Sequence, residues 1–114
     1  MVPVVEINGI SDIPDAVCLG LPKRLAESGA LQLVARFKEL VASGVKTFVL
    51  DLSETQRITD AGIGAISHLF SQMGEHLIFL SPSKSIASLL WAVGLVAPMV
   101  SSMDEVKIQL KEAP

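Results

Sequence analysis

Phe48-Val49-Leu50-Asp51-Leu52-Ser53-Glu54-Thr55-Gln56-Arg57-Ile58-Thr59-Asp60-Ala61-Gly62-Ile63-Gly64 changes from one periodicity to another within a single stretch of chain. Phe48, Val49, Leu50 and Leu52 form a nearly continuous apolar run, the pattern of a strand covered on both faces as in parallel sheets. After a polar loop from Ser53 to Thr59, the residues Ile63, Ile66, Leu69, Phe70 and Met73 recur at helical spacing, and Gly74 ends the pattern. A doubly covered strand that feeds a helix through a polar loop predicts an α/β fold. In open α/β sheets the loops at such strand ends carry the binding surface, and helix N-termini offer unpaired N–H groups that favour negative charge. Asp60, or Thr59 before it, suits the N-cap of that helix, and Gly62 and Gly64 let the backbone come close to a partner or a neighbouring strand.

Both flanks repeat the alternation. Towards the C-terminus, Leu77 to Leu80 is again strand-like, and Ile86, Leu89, Leu90 and Val93 before Gly94 predict a helix started by Ser81, Pro82 or Ser83. Met99-Val100 fits a last short strand. Ser102 and Glu105 have capping-box spacing and open a final helix carrying Val106 and Leu110. Towards the N-terminus, Val2 to Ile7 and Ala16 to Leu21, separated by Asn8-Gly9, Pro14 and Asp15, predict two paired strands. From Ser28 onward, Leu33, Val34, Phe37, Leu40 and Val41 predict an amphipathic helix closed by Ser43-Gly44. Strand–helix alternation of this kind predicts a sheet with helices packed on it through right-handed crossovers.

The 114 residues suit one domain, 1–114, and a chain that is 50% apolar and 18% charged can form a real core. With a net charge of −3 and its Lys and Arg scattered singly, it has no basic stripe for nucleic acid or anionic lipid. No nucleic-acid partner and no direct membrane insertion are expected, since no run approaches the ~20 apolar residues of a membrane helix. Cys18 is the only cysteine, so it reads as a buried small hydrophobe in a reducing compartment. Met1-Val2-Pro3-Val4 begins without a basic region, and a cytoplasmic location is expected.

Catalytic constellations are weak. His68 and His76 are the only histidines and no metal-ligand spacing is present, so neither a metal nor any other cofactor is expected. Ser67 and His68 are helix neighbours that point in different directions, and His68 reads as a surface or boundary residue. Gly62 to Ser67 imitates the first half of a dinucleotide fingerprint. However, the preceding strand ends too early for a tight turn, and no acidic residue near position 80 could hold a ribose. Asp51, Ser53 and Asp60 could share a cleft, but they lack a histidine base, a nucleophile elbow or a metal, so the chain is not expected to be an enzyme. Trp91 falls off the stripe of Ile86, Leu89, Leu90 and Val93, and partial burial is expected for it.

Three stretches carry a resemblance. Val49-Leu50-Asp51-Leu52-Ser53 followed by Asp60-Ala61-Gly62-Ile63-Gly64 is similar to the Asp-Ser-Ser-Gly-Leu-Gly signature of the STAS family (sulfate transporter and anti-sigma factor antagonist). Leu89-Leu90-Trp91-Ala92-Val93-Gly94-Leu95 resembles that family's leucine-rich helix ending in Gly-Leu, and Ser101 to Val106 resembles the start of its final helix. The chain most resembles the stand-alone bacterial anti-sigma factor antagonists. The resemblance implies a mixed sheet of four to five strands with about four helices packed mainly on one side. It implies docking on an anti-sigma factor, often a kinase-fold regulator with serine kinase activity, which releases a sigma factor; a homodimer is compatible with it. In the family, phosphorylation of the Ser after the motif's Asp breaks the docking. Here Thr59 stands in place of that Asp, and Asp60 in place of the phosphorylated Ser. Asp60 carries one negative charge against the ~1.5 to 2 of a phosphoserine, so it imitates the modified form only in part. The expectation is a permanently set module, or one switched elsewhere, with Thr59 as a substitute acceptor. The expected partner and switch site comprises Asp51, Ser53, Glu54, Thr55, Gln56, Arg57, Thr59, Asp60, Ala61, Gly62, Ile63 and Gly64. The alternatives within the same resemblance are an accessory subunit bound to the ATPase of an ABC-type lipid transporter and a subunit of a stress-sensing STAS complex.

Overall fold

A computed structural model describes residues 5–7 and 15–112. The expected strand residues Val2, Pro3 and Val4 and the turn residues Asn8, Gly9 and Pro14 lie outside the described residues, as does the side chain of Leu110. Among the described residues, five strands form one mixed sheet in the order β1-β2-β4-β6-β7. The strands are β1 (Val5–Ile7), β2 (Ala16–Gly20), β4 (Thr47–Asp51), β6 (Leu77–Leu80) and β7 (Met99–Val100). β1 runs antiparallel to β2, placing Ile7 opposite Cys18. All the other pairings are parallel, with Val49 at the centre of β4 opposite both Cys18 and Ile78. Asp15, in the left-handed region at φ 68, ties the strand starts together, because its carbonyl accepts from Lys46 N at 2.7 Å and Thr47 N at 3.2 Å.

The continuous apolar run of β4 resolves into two faces. Phe48 and Leu50, with Leu19 and Phe79, meet Leu33, Phe37 and Leu40 of α1 (Glu27–Ala42). On the same face they meet Ile66 and Leu69 of α2 (Asp60–Met73) and Ile86 and Leu90 of α3 (Lys84–Ala92). Val49, with Cys18 and Ile78, faces the other way and packs on Val106 of α4 (Met103–Glu112). The sheet advances in one direction from β2 to β4, β6 and β7, so crossovers of one hand put α1, α2 and α3 on one side. The expected arrangement of helices mainly on one side therefore holds, with α4 covering the opposite face. Phe37 and Phe48 join α1 to the sheet with ring centroids 5.0 Å apart, and half-buried His68 meets Phe37 edge-on at 5.9 Å.

Several expectations need correction. The segment Ser53 to Thr59 is not all loop: β5 (Arg57–Ile58) pairs in parallel with β3 (Arg24–Leu25) as a small second ladder. Helix α3 stops at Ala92, which leaves Val93 as its C-cap and exposed, so Val93 is not part of the buried stripe. Trp91 is 66% exposed and not partly buried, because the α3 face towards the sheet is already filled by Ile86 and Leu90. Val41 is exposed as well. The expected capping box on α4 is shifted: Ser102 Oγ accepts from Glu105 N at 3.2 Å, but the Glu105 carboxylate reaches back to Ser101 N at 2.8 Å and Ser101 Oγ at 3.0 Å.

Cys18 is buried in the core, as expected. Burial pushes its thiol up to about 11 from an ordinary 9.0, and the nearby Asp51 carboxylate adds to the effect. The folded protein is therefore expected to resist alkylation by iodoacetamide at pH 8 and to label only after unfolding in urea. The raised value also sets a sign. The native state holds the proton longer, so the contribution of Cys18 is complete below pH 9.0 and is lost as pH rises towards about 11. Denaturation midpoints at pH 8 and pH 10.5, compared with those of Cys18→Ala, check this; an equal decline in both proteins would count against it.

Candidate functional site

β4 delivers the chain to the top of the sheet and its neighbours clamp it there. Leu21 N donates to the Asp51 carbonyl at 3.0 Å, and Leu52 N donates to the Leu80 carbonyl at 2.9 Å. Asp51 then turns the chain: its Oδ1 accepts from Ser53 N at 2.9 Å, an Asx-type turn. Thr55 is 2% exposed, and its hydroxyl donates to the Leu21 carbonyl at 3.4 Å. Gln56 N and Arg57 N both donate to the Lys23 carbonyl, at 2.8 and 3.0 Å.

Thr59, not Asp60, caps α2. The Thr59 hydroxyl donates to the Leu25 carbonyl at 3.2 Å and accepts from Gly62 N at 3.4 Å, while Thr59 N donates to the same Leu25 carbonyl at 3.0 Å. Gly62 is buried against this strand. A Cβ there would lie 2.6 Å from the Leu25 carbonyl oxygen and 2.7 Å from Ile58 Cγ2, closer than any real side chain packs. Gly64 has open space where its Cβ would be, so it does not serve a close approach.

The twelve expected site residues thus separate by role. Thr55, Thr59 and Gly62 fasten the segment to Leu21–Leu25, and Asp51 shapes the turn. Ser53, Glu54, Gln56, Arg57, Asp60, Ala61 and Gly64 are exposed, and Ile63 is half-buried against the core. The exposed residues cover the rim of the sheet and the first turn of α2. Asp60 lies there with its carboxylate outside every hydrogen bond and ion pair of the described residues, next to the partial positive charge of the helix N-terminus.

Beside this rim lies an open cleft of ≈ 500 Å³, lined by Lys23, Ser53, Glu54, Thr55, Gln56, Ser83 and Ser85. Ser83 also caps α3, accepting from Ile86 N at 3.2 Å. The cleft takes in Ser53 but neither Asp51 nor Asp60, so the three groups that an acid–base reading needs do not line one cavity. Lys23 and Ser85 were not singled out from the sequence. The signal that could have found them is positional, since both follow the C-terminal end of a strand of the same sheet, after β2 and β6. Among the described residues no group of three or more His, Cys, Asp or Glu side chains is placed to hold a metal, and no helix is long and apolar enough to cross a membrane.

No protein-family model matches the sequence, and no curated protein matches it. Its fold, however, superposes on solved structures over most of its length. An anti-sigma-factor antagonist (STAS) domain protein from Planctomyces limnophilus is 16% identical, with a TM-score of 0.73 and 99% of each chain covered. A putative anti-sigma factor antagonist from Thermotoga maritima is 19% identical, with a TM-score of 0.69 over 88% of this chain and 91% of that one. The chain has the STAS fold. The Bacillus cell fate determinant SpoIIAA shares it in its phosphorylated form, at 16% identity and a TM-score of 0.71 over 87% of this chain and 94% of that one. The unphosphorylated SpoIIAA, an anti-sigma factor antagonist, superposes with a TM-score of 0.70 at 15% identity, covering 89% of this chain and 94% of that one. Identities this low compare folds. In this STAS fold the segment from Asp51 to Gly64 is held by backbone, threonine and Asp51 hydrogen bonds, with the charged side chains of Glu54, Arg57 and Asp60 turned to solvent.

Proposed function

We propose that the chain is an anti-sigma factor antagonist, a binding module that docks on an anti-sigma factor and so releases a sigma factor. The observation that carries this reading is the exposed Asp60, uncommitted to the capping of α2 and presented by a rigid segment, on a fold shared with SpoIIAA. A rigid platform suits recognition, because little side-chain or loop entropy is lost on association. Asp60 occupies the position that the resemblance assigns to a phosphorylated Ser, and its fixed charge sets the module in one docking state. The partner that fits is an anti-sigma factor of kinase fold, and the contact surface is Ser53, Glu54, Gln56 and Arg57 with Asp60, Ala61 and Gly64. The reading requires no cofactor and no reaction on the chain's own account.

The test is capture of partners on the tagged chain, wild type beside Asp60→Lys, from the cells that make it. Recovery of an anti-sigma factor by the wild type and not by the variant supports the reading. Recovery of a transporter ATPase with its permease moves the function to the transporter alternative, and equal recovery by both forms moves the contact away from Asp60.

A further inference from the structure

The stretch from Ser85 to Met103 contains no charged side chain, the longest such stretch of a chain that is 18% charged. It runs from the first turn of α3 through Gly94 to β7, the edge strand of the main sheet. Its apolar side chains are divided. Ile86, Leu90, Leu95 and Ala97 are buried in the core, whereas Trp91, Val93, Val96 and Met99 are exposed and make up four of the seven large apolar side chains exposed among the described residues. Gly94 N donates to the Trp91 carbonyl at 3.0 Å and Leu95 N donates to the Leu90 carbonyl at 2.9 Å, which folds the chain back over the end of α3. Val100 packs towards α4, so alternation along β7 puts Met99 on the α3 side. Single exposed apolar residues need no partner, but four within nine residues of chain, with no charge among them, form the kind of patch that marks an interface.

The backbone beside this patch is open in a particular way. The Pro98 carbonyl accepts from Phe79 N at 2.8 Å, and the Val100 carbonyl accepts from Ser81 N at 2.6 Å. The residues on either side of Met99 thus turn their polar groups towards β6, and in a parallel ladder the residue between them turns its N–H and C=O the other way, to the free edge. A residue with both groups outward is half of an antiparallel pair, in which two opposed residues exchange both hydrogen bonds. Such a pair has a two-fold axis, so Met99 is complementary to Met99 of an identical chain. We infer that the occupant of this edge is a second copy of the chain, joined through β7 with Met99 opposite Met99 and with Trp91, Val93 and Val96 packed around the axis. Charge favours the same occupant. Each copy carries −3, and the uncharged stretch is where two copies meet without setting like charges against each other. α3 starts beside the Ser83 cleft and ends at the opposite end of the strands, so the contact is separate from the rim around Asp60 and leaves that rim open on both copies. The contact is small, and a dissociation constant on the order of 10 μM is expected.

The test is sedimentation velocity of the whole chain from well below to well above that concentration, followed in parallel by the fluorescence of Trp91, the only tryptophan. A shift from one chain to two is expected, with Trp91 emission moving to shorter wavelength over the same range. Met99→Glu and Met99→Lys each set like charges against each other across the axis, so each alone should weaken the dimer by at least about tenfold, and their equimolar mixture should restore it. Trp91→Glu, at a position exposed in the single chain, should weaken the dimer by a similar factor while its thermal midpoint at dilution stays that of the wild type, and it carries the test where a Met99 variant fails to fold. A single chain at every concentration overturns the inference, as does a dimer that survives Trp91→Glu. Folded Met99 variants that leave the dimer unchanged, or that lose it without recovery in the mixture, overturn it as well. None of these readouts involves an anti-sigma factor, so the docking reading stands or falls separately.

Discussion

Replacing Gly62 by Ala is expected to lower the stability of the fold by about 2–3 kcal/mol, whereas Gly64→Ala on the same helix is expected to raise it by about 0.5–1 kcal/mol. Both changes offer the same gain in helix propensity, so the difference lies in what the new methyl meets. At Gly62 it meets the Leu25 carbonyl oxygen at 2.6 Å, and that oxygen cannot retreat, because it accepts from Thr59 N and from the Thr59 hydroxyl. Relief requires α2 to move off the β3 strand, which takes the cap with it. At Gly64 the methyl enters solvent. Urea midpoints of the two variants check the prediction, and equal shifts would mean that the contact between α2 and the Leu25 carbonyl is not rigid. The pair also separates structure from recognition. If Gly64→Ala folds more stably but binds its partner less well, the exposed face of α2 lies in the contact.

The same glycines show where sequence reading succeeds and where it stops. β4 and α2 were legible because each is long enough to display a period: an unbroken apolar run marks a strand covered twice, and three- and four-residue spacing marks a helix. A two-residue ladder displays no period. β3 and β5 exist because Arg57 N and Gln56 N find the Lys23 carbonyl across a gap of more than thirty residues, and nothing local announces that pairing. Thr59 and Asp60 are both good capping residues, and the choice was made by a carbonyl on β3 that only Thr59 can reach while it caps. Likewise the stripe on α4 showed that Val106 is buried but not on which side of the sheet, since an amphipathic helix fits either face. The cleft was invisible for a related reason, because it is assembled from the ends of three strands. What the resemblance added was the position of Asp60 in a known pattern, which no spacing argument could supply.

With a purified partner, Asp60→Lys is expected to weaken docking by about a hundredfold, and Asp60→Asn by about tenfold. The neutral variant removes an attraction, while the reversed charge sets Lys against whatever cation on the partner meets Asp60, and adds its repulsion. Stability should change much less. The α2 cap belongs to Thr59, so Asp60→Lys forfeits the favourable placement of a carboxylate at the helix N-terminus and sets a cation there instead, about 0.3–1 kcal/mol for each. Wild-type affinity should fall with added salt, and that of the Lys variant should not, since screening removes attraction in one case and repulsion in the other. Glu75→Lys supplies the control. It makes the same change in net charge in the short 3-10 turn that follows the far end of α2, where Glu75 is also exposed. Equal losses in the two variants would show that the partner responds to the net charge of the chain and not to the first turn of α2. A loss confined to Asp60→Lys would place the carboxylate itself in the contact.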